Sequence, residues 1–117
     1  MKGYEKIEAA IAQAHSETDD PIVALVARSA QAMRLDDCQV TIGSGNSTQE
    51  AVNAAMVKAG RMRDWVVVVS QMGTDGNHIM PPLLCHAPMH DFKKAGMNAV
   101  FYVPADAGKE WEVYTPN

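Results

Sequence analysis

The stretch Cys38 to Met56, CQVTIGSGNSTQEAVNAAM, runs from an alternating segment through a glycine turn into an amphipathic one. Cys38, Val40 and Ile42 alternate with Gln39 and Thr41, the period-two pattern of a strand with one wetter face. Gly43-Ser44-Gly45-Asn46 reads as a turn. Ser47, with Glu50 three positions later, forms a capping box in which each side chain satisfies a backbone N–H near the other. Val52, Ala55, Met56 and Ala59 then repeat at helical spacing, and Gly60 can take the left-handed conformation that closes a helix. A strand feeding directly into a helix is the building unit of α/β domains. The junction also suits an anion, because the first-turn amides lack intrahelical partners and the helix dipole adds about half a positive charge there.

On the N-terminal side, Ile7, Ala10, Ile11 and Ala14 make an apolar stripe with Glu5, Glu8 and Gln13 off it, which predicts a short helix. Asp20 followed by Pro21 reads as a cap with proline at the first helical position. Ile22, Leu25, Val26, Ala30 and Met33 then predict a second helix ending near Leu35-Asp36. On the C-terminal side, the continuous run Trp65 to Val69 suits a central strand covered on both faces, and Met97 to Val103 reads similarly. Pro88 to Ala95 predicts a short helix beginning at the proline and stopped by Gly96. After Pro104 to Gly108, Trp111 and Val113 alternate with charged residues, as in a hairpin that ends on an edge strand. The order α-α-β-α-β-α-β-β predicts a small single-domain α/β sandwich over residues 1–117, its central sheet mostly parallel and its C-terminal edge strand antiparallel.

Composition narrows the function classes. At 117 residues and 47% hydrophobic, the chain can bury a core without depending on a bridge between Cys38 and Cys85. A net charge of -4 lacks the basic face that nucleic acid requires. The longest apolar run, Trp65 to Val69, falls far short of the roughly 20 residues that span a bilayer. Residues 1–15 show no apolar signal-peptide centre, so the expected location is the cytoplasm. The eight Met read mainly as core filling.

If the first three strands are parallel, the loops leaving their carboxyl ends gather at one rim, where open α/β sheets bind ligands. Three segments are expected there: Gly43 to Thr48, Ser70 to Met80, and Pro104 to Gly108. In the first, Gly43, Ser44, Gly45, Asn46, Ser47 and Thr48 form a candidate anion cradle of backbone amides and hydroxyls. This loop alone resembles the phosphate-holding loop of some sugar-phosphate isomerases, and no activity is carried over from so short a match. In the second, the long connection between Val69 and Pro88 reads as a lid, with Thr74-Asp75-Gly76-Asn77 as its turn. His78 there is a candidate general acid or base, with Asp75 as its orienting carboxylate.

Cys85 is a candidate nucleophile beside His86 or His78. Cys85, His86 and His90 together suggest zinc chemistry, but a helix starting at Pro88 would separate the two histidines. Neither a metal nor a cofactor is therefore expected. Trp65, Tyr102, Trp111 and Tyr114 are candidates for stacking on a ligand or a partner, and an edge strand near Trp111 makes a homodimer through the last strand plausible.

The expected function is a small ligand-binding domain for an anionic, phosphate-bearing small molecule or nucleotide at the strand C-terminal rim. A second reading is an acidic accessory or inhibitor protein that docks on a larger partner. A third is a hydrolase or lyase using Cys85 or His78.

Overall fold

Every residue from Ile22 to Ala27 is buried, and this run is a strand. The computed structural model describes residues 5–28, 40–60, 63–106 and 109–116. Within them lie helix α1 (Glu5–Glu17), strands β1 (Ile22–Arg28) and β2 (Thr41–Gly45), helix α2 (Thr48–Ala59), strands β3 (Trp65–Met72) and β4 (His78–Ile79), helix α3 (His86–Lys94), and strands β5 (Met97–Tyr102) and β6 (Glu112–Tyr114). The second helix expected from Pro21 is therefore replaced by β1 as far as Arg28, and its remainder lies outside the described residues, as do Cys38 and Gln39. Ile22, Leu25 and Val26 fit helical spacing, but apolar residues fill every position of the run. That is the signature of a strand covered on both faces.

The six described strands form one mixed sheet in the order β2-β1-β3-β5-β6, with β4 paired to the end of β3. Only β3 and β5 pair in parallel, and the other pairs are antiparallel. The mostly parallel sheet expected from the alternation of elements is thus corrected. With a strand where a helix was expected, β1 lies between β2 and β3 and runs against both. The antiparallel margin formed by β6 matches the expectation.

Helices cover both faces. Ile22, Ala24 and Val26 of β1, with Trp65, Val67 and Val69 of β3, pack against Ala51, Val52 and Ala55 of α2 and Phe92 of α3. Leu25 and Val68 point the other way, onto Ile7 and Ile11 of α1. The α1 stripe is the expected one, and so is the inward side of α2 at Val52 and Ala55. Trp65 and Tyr102 belong to the first core and their polar atoms are satisfied there: the Trp65 indole N–H donates to the Ala95 carbonyl at 2.9 Å, and the Leu84 N–H donates to the Tyr102 hydroxyl at 2.9 Å. Burial raises the Tyr102 hydroxyl pKa, partly offset by that bond from Leu84.

Two local corrections bear on the site. The connection after Val69 is largely structured: β3 continues to Met72 and turns through Gly73 to Asn77 into β4. The helix expected from Pro88 instead begins at His86, with Pro88 in its first turn, where a missing N–H breaks no intrahelical bond. No described helix is long and apolar enough to cross a membrane.

Candidate functional site

Because β2 and β3 both run against β1, and β5 runs with β3, the strands β2, β3 and β5 all end at one margin. The register fixes this: Ile22 faces Gly45 on one side and Gln71 on the other, while Tyr102 faces Val69. The first two expected segments and residues 104–106 of the third therefore share a rim, although an antiparallel strand separates the first from the second; residues 107 and 108 of the third lie outside the described ones.

Gly43 to Gly45 belong to β2 rather than to the expected turn, and the stretch Gly43 to Thr48 is engaged by its own chain. Gly43 and Gly45 are buried under α2, and a methyl group on Gly43 would sit 2.2 Å from the Ala55 nitrogen. Close helix packing thus explains the glycine at position 43. Ser47 caps α2 by accepting from the Glu50 N–H at 3.1 Å, and the Glu50 carboxylate accepts in return from the Asn46 N–H at 2.9 Å. The buried Thr48 hydroxyl donates to the Pro82 carbonyl at 2.6 Å. Ser44 points to the α1 side and donates to Asp20 at 2.7 Å, with the Thr18 hydroxyl 3.3 Å away. Two carboxylates, Asp20 and Glu50, thus occupy the loop that was read as an anion cradle.

Ser44 and Ser70 lie opposite the same residue, Val23, and so project from the same face of the sheet. Ser70 is fully buried. Its Oγ lies 3.0 Å from His15 Nε2 of α1 and 3.3 Å from His78 Nδ1 of β4, and the two rings meet edge to face with centroids 6.2 Å apart. A hydroxyl both donates and accepts, so one oxygen bridges two imidazoles. Burial first, and the neighbouring His78 second, hold the His15 imidazole below its ordinary pKa. Sequence reading had selected His78 alone. The only early signal for Ser70 was its place in the rim segment, and His15 gave none, since a histidine near a helix C-terminus is ordinary.

His78 also lines a hollow of about 100 Å³, together with Ile11 and Glu8 of α1, Val103 and Pro104 after β5, and Lys109 and Trp111 before β6. At about 30 Å³ per water, this holds roughly three waters, or the head of a small molecule. A larger hollow of about 500 Å³ lies at the opposite margin, against Met56 and Trp65. Its walls continue in sequence into residues 29–39 and 61–62, outside the described ones, and Arg63 is the one charged residue among its described lining.

The remaining candidates fall elsewhere. Both Asp75 carboxylate oxygens accept from Asn77, one from its N–H at 3.0 Å and one from its side-chain amide at 3.1 Å. The backbone bond first and the side-chain bond second lower the Asp75 pKa. Ser70, not Asp75, is thus the hydrogen-bond partner that orients His78. Cys85 is an exposed free thiol at the N-cap of α3, on the α2 and α3 side of the sheet, whereas His78 faces the α1 side. Since α3 starts at His86, the imidazoles of His86 and His90 do share one helix face and stack with centroids 6.5 Å apart, correcting the expected separation. Among the described residues no three His, Cys, Asp or Glu are grouped to hold a metal. Trp111 borders the hollow, and Tyr114 lies exposed on β6 against Tyr102.

No protein-family model, curated protein or solved structure matches the chain.

Proposed function

We propose that the chain is a cytoplasmic small-ligand-binding domain for an anionic small molecule, with its site at the rim where β2, β3 and β5 end. The observation that carries this reading is the hollow in which a histidine, His78, and a lysine, Lys109, stand beside the indole of Trp111. An ammonium and an imidazole supply charge and donors for a phosphate or carboxylate head, and the apolar walls favour a short hydrocarbon or ring behind it. This shifts the anion from Gly43 to Thr48, whose donors the chain's own groups already engage, to the neighbouring α1 side of the same rim, where Lys109 and His78 share the lining with one carboxylate, Glu8. The small volume favours a phosphate-bearing metabolite over a whole nucleotide.

Thermal melting in the presence of inorganic phosphate, small carboxylates and sugar phosphates tests it. Ligand at a hundredfold above its dissociation constant adds about 2.7 kcal/mol of stability. Lys109→Ala should abolish the shift and Ser47→Ala should leave it. Melting unaffected by every anion sinks the reading.

Docking onto a second protein, or onto a second copy of the chain, is favoured by one observation. The short edge strand β6 leaves Val113 and Tyr114 exposed at the sheet margin, and unpaired strand edges recruit further strands. Sedimentation of wild type against Val113→Lys separates this reading from ligand binding, since only docking predicts a mass that falls in the variant.

A further inference from the structure

We propose that His15, Ser70 and His78 form a proton relay that opens onto the rim hollow through His78 Nε2 and exchanges its proton with a small weak acid bound there. The inference goes beyond ligand binding, because the relay trades protons with solvent as well as with a bound acid.

The geometry restricts where the protons lie. Ser70 Oγ is within hydrogen-bond distance of His15 Nε2 and of His78 Nδ1, and it has a single proton to donate. With both rings neutral, two arrangements satisfy all three groups. In one, Ser70 donates to His15 and accepts from His78, so each imidazole carries its proton on Nδ1. In the other, His15 donates to Ser70 and Ser70 donates to His78, so each carries its proton on Nε2. Both rings therefore share one tautomer. The first arrangement presents a lone pair at His78 Nε2, the nitrogen that Ser70 does not engage, and the second presents an N–H there.

A proton taken up at His78 Nε2 moves inward without net chemistry. The acid's O–H bond breaks, an N–H bond forms at His78 Nε2, and the conjugate base remains in the hollow, which Lys109 also lines. His78 then passes its Nδ1 proton to Ser70 Oγ, and Ser70 passes its own to His15 Nε2. The positive charge can reach His15 in this way, against the burial that disfavours it there, and the same transfers run backwards return it to His78. A second proton is opposed, since both rings would then be donors to Ser70, whose hydroxyl hydrogen would lose its acceptor in a buried site. The other charged groups around His78 are Glu8 from α1 and Lys109 from the segment before β6. His78 is the group that meets the acid, while Ser70 and His15 position and load it.

Long-range proton–nitrogen NMR of histidine-labelled protein reads the relay directly. In the wild type, His15 and His78 should show the same tautomer near neutral pH, and the first proton taken up on acidification should perturb both rings together, because the pair titrates as a unit. Ser70→Ala should uncouple the rings, so that each protonation step perturbs one ring alone, and free the tautomers. If that variant does not fold, His15→Gln serves instead: the His78 tautomer should become mixed. Opposite tautomers in the wild type, or a first protonation step that perturbs one ring alone, overturn the relay, and so does a His78 unchanged by loss of its partners.

Discussion

Two polar clusters sit on the same rim and differ in where their partners come from. In the Gly43 to Thr48 loop, Ser47 and Asn46 are answered from one helical turn away by Glu50. In the other cluster, His15 reaches Ser70 across 55 residues of chain, and Ser70 reaches His78 across a hairpin. The first arrangement is what any well-made helix start requires, so it needs no ligand to account for it. The second gathers three elements around one hydroxyl next to a hollow, which local structure alone does not require. A motif that is contiguous in sequence can thus be scaffolding, while a polar cluster with no local cause is assembled from residues that only the topology brings together.

The largest expected effect sharpens the scaffolding side. Gly43→Ala places a methyl group against backbone atoms of α2, and denaturant unfolding should show a loss of about 3 kcal/mol. A loss under about 1 kcal/mol would mean that α2 is not seated on β2 as described. Next, Ser70→Val leaves two imidazole nitrogens without their shared partner in a buried site and should cost about 2 kcal/mol by the same measurement. A neutral outcome would break the contrast, since the cluster would then be a fortuitous contact. Ser47→Ala should cost about 1 kcal/mol, the ordinary value of a cap, and leave any anion-induced melting shift intact. Loss of that shift would return the ligand site to the loop.

The smallest effect is a pH slope. The folded His15 pKa lies below its ordinary value of 6.5, so between the two values the unfolded chain binds more protons than the folded one. Stability is then full above about pH 6.5 and declines as pH falls toward the folded value. Urea midpoints across that window should drop in the wild type and drop less in His15→Gln. Equal slopes would remove His15 from the account.

Much of the scaffold was legible because local rules decide it. The α1 stripe at Ile7 and Ile11, the cap at Ser47, the closing Gly60 and the run Trp65 to Val69 each carry their signal within a few residues. Position 60 shows this well: φ is 75° there and its N–H donates to the Met56 carbonyl. The run Ile22 to Ala27 misled because a stretch that is apolar at every position satisfies helical spacing by default, and Asp20-Pro21 before it is as good an entry to a strand as to a helix. That single exchange turned the expected mostly parallel sheet into a mixed one in which only β3 and β5 pair in parallel. Of the site, His78 and the segment holding Ser70 could be read as rim residues, because β3 ends there under either topology. His15 could not, since nothing in residues 5–17 indicates that the last turn of the helix lies over the carboxyl end of a strand 55 residues away.

The strand β3 changes neighbours along one side: β5 accompanies it through Val69, and β4 takes over from Gln71. Ser70 stands at that seam, flanked there by neither registered partner. An imidazole delivered by a short hairpin can reach the seam, while the helix and the long strand beneath it stay put. The hairpin tip at Asp75 and Gly76 is therefore a natural splice point. Lengthening it changes the arm that carries His78 and spares the foundation, so redesign of this domain can vary the placement of that imidazole and keep the platform.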